Sequence, residues 1–173
     1  LLFEHMYRNA DSQALKAYLV NTKVDDLLAT LHRQTMFAEF ERLSHAALEG
    51  GTPLTVDFLR AEYGKLLRKY FGPDLVFEAE SDLEGLRIPH FYNAFYVYKY
   101  STGVSAAAAL ARRVLDGGKT ERDAYFAFLK SGGSRFPIES LRLAGVDMST
   151  PGPVEAACAE FSRLVDELEG LLA

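Results

Sequence analysis

Apolar residues recur along this chain at spacings of three and four, the period of an amphipathic α-helix, and strand-like alternation is nearly absent. The pattern predicts a first helical piece ending near Asn9 and a second, capped by Asp11-Ser12, running to about Val20. Asn21-Thr22 is expected to open a long third, with Val24, Leu27, Leu28, Leu31, Phe37 and Ala38 toward a core, and Gly50-Gly51 to stop it. Thr55 caps the next, which carries Phe58, Leu59, Tyr63, Leu66 and Leu67 and closes at Tyr70-Phe71-Gly72-Pro73. Residues 74–80 read as a connector, followed by a short helix over Ser81 to Leu86. Pro89 suits a first helical position, and the helix it opens is expected to continue to about Leu115. Gly117-Gly118 ends it, Thr120 is the expected cap of the next, and Gly132-Gly133 the stop of that one. Pro137 to Leu143 and Pro153 to Leu171 complete the series. The fold class is all-α, with about eight helices over one helical region, 1–173.

Every glycine pair falls where a helix should stop and none follows a strand, so phosphate-cradling loops are a poor reading. Charge narrows the picture further. The net charge is −5 and no segment gathers Lys and Arg on one face, which argues against nucleic-acid binding. No apolar run approaches the ~18 to 20 residues of a membrane helix. The start, L-L-F-E-H-M-Y-R, has neither the basic opening nor the long apolar centre of a signal peptide. It also lacks an initiating methionine and a helix cap, and reads as the middle of a helix in a longer protein. A cytoplasmic location is expected from these absences, and the single cysteine, Cys158, fits a reducing compartment.

Metal chemistry finds little support in the residues. The four histidines stand at 5, 32, 45 and 90, and no pair has the His-x-x-x-His spacing that puts two imidazoles on one helical face. No metal ligand is assigned in this chain. Cys158, in A-A-C-A-E, reads as a small packing residue.

The segment R-I-P-H-F-Y-N-A-F-Y-V-Y-K-Y-S-T-G, Arg87 to Gly103, stands apart. On one continuous helix Tyr92, Tyr96 and Tyr100, with Lys99, would share a side, Phe91, Phe95 and Tyr98 the adjacent side, and His90 the first turn. Two readings fit. The rings are ridges of a core helix, or they wall a polar cleft whose hydroxyls and imidazole face a ligand. Each buried phenol needs a hydrogen-bond partner, so four tyrosines make an awkward core. Peptides suit such a wall, because phenols donate to carbonyls and rings cover side chains.

R-Q-T-M-F-A-E-F-E (Arg33 to Glu41), E-G-G-T-P-L-T (Glu49 to Thr55), I-P-H-F-Y-N-A-F-Y-V-Y-K-Y-S-T-G (Ile88 to Gly103) and A-G-V-D-M (Ala144 to Met148) occur in this order. Together they resemble the C-terminal part of oligoendopeptidase F, of the thimet-oligopeptidase-like zinc metallopeptidases. The resemblance implies a helical channel that admits short peptides, and a zinc held by the two histidines of a His-Glu-x-x-His helix and a later glutamate. Those ligands are expected before Leu1, in the N-terminal remainder of the same protein, and Glu4 is not one of them. By the same resemblance His90 and Tyr98 are the expected catalytic, oxyanion-facing residues, and Tyr96 and Tyr92 the substrate-binding ones. The chain alone is then expected to be inactive, as one wall of a zinc metalloendopeptidase. A stand-alone helical peptide-binding or scaffold module without catalysis is the alternative. Arg33, Glu39 and Glu41 read either as a polar network bracing the long helix or as a substrate subsite. Asp147 reads as a turn-bracing residue.

Overall fold

The structure is a computed structural model that describes residues 1–173. It is all-α: α1 (Leu2–Arg8), α2 (Gln13–Leu27), α3 (Arg33–Glu49), α4 (Val56–Phe71), α5 (Glu84–Arg87), α6 (Tyr98–Asp116), α7 (Lys119–Ser131), α8 (Pro137–Leu143) and α9 (Gly152–Leu172). Because α2 passes into α3 through a π-helical turn, Leu28–His32, these nine segments make eight helical runs, the number expected. Short 3-10 turns at Ser81–Leu83 and Pro89–Tyr92 flank α5. The residues gather into two compact units, one of 1–28 with 102–173 and one of 29–101.

Local chemistry explains both the agreements and the departures. Ser12 and Thr55 cap α2 and α4 as expected, their hydroxyls accepting from the N–H of Leu15 and Phe58. Asn21-Thr22 starts nothing, because Thr22 Oγ1 donates back to the Tyr18 carbonyl at 2.8 Å and Asn21 Nδ2 reaches Asp25 at 3.1 Å. Both side chains are satisfied inside one continuous helix. Thr120 lies inside α7 rather than capping it. There Glu121 reaches back and its Oε2 accepts the Gly118 N–H at 2.8 Å.

The unit of residues 29–101 is built on Met36, Phe37, Phe40, Tyr63, Leu66, Leu67 and Val97, with Phe91 packed against them. Its rings meet edge to face, Phe40 on Tyr63 at 5.2 Å and Phe37 on Phe91 at 5.8 Å between centroids. Gly85 is required here: a Cβ would come within 2.7 Å of the Tyr63 ring and 3.2 Å of Phe40. In the other unit α2 packs on α9 around Val20, Leu27 and Leu164, while Leu110, Ala144 and Val146 form a smaller cluster beneath α7 and α8.

Candidate functional site: an aromatic cluster folded back on itself

The helix expected from Pro89 to Leu115 is broken, and the break makes the site. Pro89–Tyr92 forms one 3-10 turn, residues 93–97 are non-helical, and α6 begins only at Tyr98. On a continuous helix His90 and Tyr100 would lie about 15 Å apart along the axis. Instead His90 Nε2 is 3.2 Å from the Tyr100 hydroxyl. The His90 ring also stacks on Tyr96, with centroids 5.7 Å apart, and Tyr96 meets Tyr100 edge to face at 5.6 Å. Tyr96, Tyr100 and His90 therefore do not line the side of a helix. They close a triangle.

The chain reverses at Phe95, whose φ of 57° lies in the left-handed region. For a bulky residue this conformation costs on the order of 1–2 kcal/mol. Two contacts hold it. The Phe95 N–H donates to Glu41 Oε1 at 2.6 Å, and the Phe95 ring lies against His45 at 4.6 Å between centroids. Glu41 is only 4% exposed on α3, whereas Phe95 is 53% exposed. A hydrogen bond to a charged acceptor contributes about 1.5–3 kcal/mol, enough to offset the strain. Two residues further on, fully buried Val97 anchors the segment in the core.

The cluster can donate protons outward. The hydrogen bond that Tyr100 donates to Tyr96, and then burial, push the Tyr100 phenol above its ordinary pKa, so it keeps its proton near pH 7. Tyr100 donates to Tyr96, the Tyr96 O–H is left to donate to a ligand, and the direction of the His90–Tyr100 bond follows the imidazole tautomer. Lys99 Nζ lies 5.0 Å from the Tyr96 ring centroid. Tyr98, at the start of α6, is 50% exposed, and Tyr92 is 87% exposed at the end of the 3-10 turn. Of the four residues singled out in the sequence, the cluster joins His90 and Tyr96. Tyr100, which the resemblance did not bring forward, is its third member. Its signal was there in the count of phenols, but a straight helix put it too far from His90.

The Arg33-to-Glu41 motif serves the same unit. Arg33 pairs with Glu84, which also accepts the buried Tyr63 hydroxyl at 2.7 Å. Burial, then that hydrogen bond, push the Tyr63 phenol far up. Glu39 accepts Lys69 Nζ at 2.8 Å and the Tyr70 hydroxyl at 2.9 Å, and the hydrogen bond from Lys69 draws its pKa down. No group of three or more His, Cys, Asp or Glu side chains is placed to hold a metal ion. The residues of this chain do not fit a zinc site by themselves. Nor is any helix long and apolar enough to cross a membrane.

The model of Peptidase family M3 matches residues 3–160. The chain belongs to peptidase family M3. Within M3 it is 46% identical to oligopeptidase PepF of Bacillus subtilis over 172 residues, which are 99% of this chain and 26% of that protein. It is 40% identical to an oligoendopeptidase F homolog of Borreliella burgdorferi, covering 98% of this chain and 29% of that one. Among solved M3 relatives, the crystal structure of oligoendopeptidase-F from Enterococcus faecium superposes with a TM-score of 0.94 at 42% identity, over 99% of this chain and 33% of that one. The chain thus spans between a quarter and a third of the length of these relatives. The likeness to oligoendopeptidase F is continuous from α1 into α9, well beyond the four motifs that suggested it.

Proposed function

We propose that this chain supplies the substrate-binding, oxyanion-facing wall of a zinc metalloendopeptidase that hydrolyses short oligopeptides, acting with the N-terminal remainder of the same protein. The observation that carries the reading is the outward-facing cluster of His90, Tyr96 and Tyr100, with exposed Tyr98 and Tyr92 beside it, in a member of a peptidase family. Zinc, held by a His-Glu-x-x-His helix of the longer enzyme, supplies Lewis acidity and an activated water when bound. A cytoplasmic location is part of this reading, and the lone thiol of Cys158 is in keeping with it.

The residues of this chain have two tasks in that reading. His90 and Tyr98 donate to the carbonyl oxygen of the scissile peptide as negative charge gathers on it. Tyr96 and Tyr92 hold the peptide, their hydroxyls bonding its backbone and their rings covering its side chains. The His90–Tyr100–Tyr96 array keeps the imidazole and phenols oriented before substrate arrives, so little reorganisation is needed as charge develops. Loss of one such donor costs about 3 to 4 kcal/mol, a factor of roughly 10² to 10³ in rate. Tyr98→Phe in the full-length peptidase is expected to lower kcat by that factor with little change in KM. His90→Ala should act similarly. A loss in kcat below about threefold for both would remove the oxyanion role.

A further inference from the structure

We propose that Glu41 is a positioning residue: its buried carboxylate fixes residues 93–97 in the reversed conformation that brings His90, Tyr96 and Tyr100 together. This rests on the reading of that cluster as a substrate wall. Glu41 sits on α3, more than fifty residues away in sequence, and is 4% exposed in a core otherwise built from Met36, Phe37, Phe40, Tyr63 and Val97. A carboxylate placed there needs a reason, since burying it costs free energy unless it is hydrogen-bonded. Its Oε1 receives the backbone N–H of Phe95 at 2.6 Å, at the residue whose φ is 57°.

The acceptor and the strain coincide at one residue. Without the acceptor, Phe95 has every steric incentive to relax to negative φ, and relaxation there would swing Tyr96 away from the His90 ring it stacks on. Neither neighbour could substitute. Val97 anchors the segment only after the reversal, and the His45 contact constrains the ring of Phe95 rather than its backbone. Glu41 would therefore touch neither substrate nor metal and act through the loop alone.

The test uses the full-length peptidase with three variants, read by hydrogen exchange across 93–97 and by hydrolysis of a short peptide. Glu41→Ala is expected to raise exchange at 93–97 about tenfold or more while α6 beyond Gly103 is unchanged, and to lower kcat/KM roughly 10- to 100-fold. Glu41→Gln keeps an acceptor oxygen and is expected to do less of both. Phe95→Asn, whose side chain tolerates left-handed φ, is expected to recover about threefold or more of the loss when added to Glu41→Ala. A mere packing defect would lower stability without that recovery. Unchanged exchange in Glu41→Ala overturns the latch. Raised exchange with hydrolysis within about twofold of the parent overturns its role in positioning. His90→Ala and Tyr96→Phe measured alongside separate the two readings: if they also leave hydrolysis intact, the substrate wall itself fails and the positioning role falls with it, while exchange still reports whether Glu41 holds the loop.

Discussion

Glu84 gathers three donors around one carboxylate: Arg33, the Tyr63 hydroxyl at 2.7 Å and Arg87 at 3.4 Å. Tyr63 is fully buried, so its hydroxyl has no water to fall back on. Tyr63→Phe keeps the ring and removes that bond, and is expected to destabilise the fold by about 1–2 kcal/mol in urea unfolding. Arg33 remains paired with Glu84 in that variant, which limits the loss. Asp147 makes a different kind of prediction. The Ser149 hydroxyl (2.7 Å), the Ser149 N–H (2.9 Å) and Arg142 (3.1 Å) hold its pKa down to about 2, from an ordinary 3.8. A depressed carboxyl stabilises the fold fully above its unfolded pKa and loses that contribution as pH falls through the folded one. Stability should decline between about pH 4 and pH 2, and Asp147→Asn should reduce that part of the decline in acid unfolding followed by circular dichroism. Asp147 was read from the sequence as a turn brace, and its Asx-type bonds to Ser149 are that role.

Among the elements, α5 shows how a short piece of helix is fixed by packing rather than propensity. Its Gly85 lies where a methyl group would strike Tyr63 and Phe40, both at the centre of the core. Gly85→Ala is expected to cost about 1–3 kcal/mol through overpacking, visible as a lowered midpoint in thermal or urea unfolding, although alanine is the better helix former. Most elements were legible in the sequence because their signals are local. Ser12, Thr55, Gly50-Gly51 and Pro137 mark ends that the chain respects. The break between Pro89 and Tyr98 was not legible, since nothing local at Phe95 asks for positive φ. Its cause is a carboxylate fifty-four residues earlier on α3. Sequence periodicity reads contacts between near neighbours and is blind to such a bond. The candidate site was accordingly legible as a set of rings and not as an arrangement: His90 and Tyr96 were identified, while their union with Tyr100 depends on the reversal.

Taken whole, the molecule combines membership of a peptidase family with a chain whose own side chains offer no metal site. Zinc added to the folded chain should then leave its Tm unchanged, because an ion without a site gives no linkage to folding. The same chain should not hydrolyse a short peptide with or without the metal. A zinc-dependent rise in Tm would show a ligand set on these residues that their geometry does not suggest. Whether the folded-back cluster faces peptide is answered by a crystal structure of the full-length peptidase with a non-hydrolysable peptide analogue. A peptide carbonyl oxygen is expected within about 2.6–3.2 Å of a hydroxyl or imidazole nitrogen among His90, Tyr96 and Tyr98. A peptide bound elsewhere, with those groups touching only each other and solvent, would contradict it.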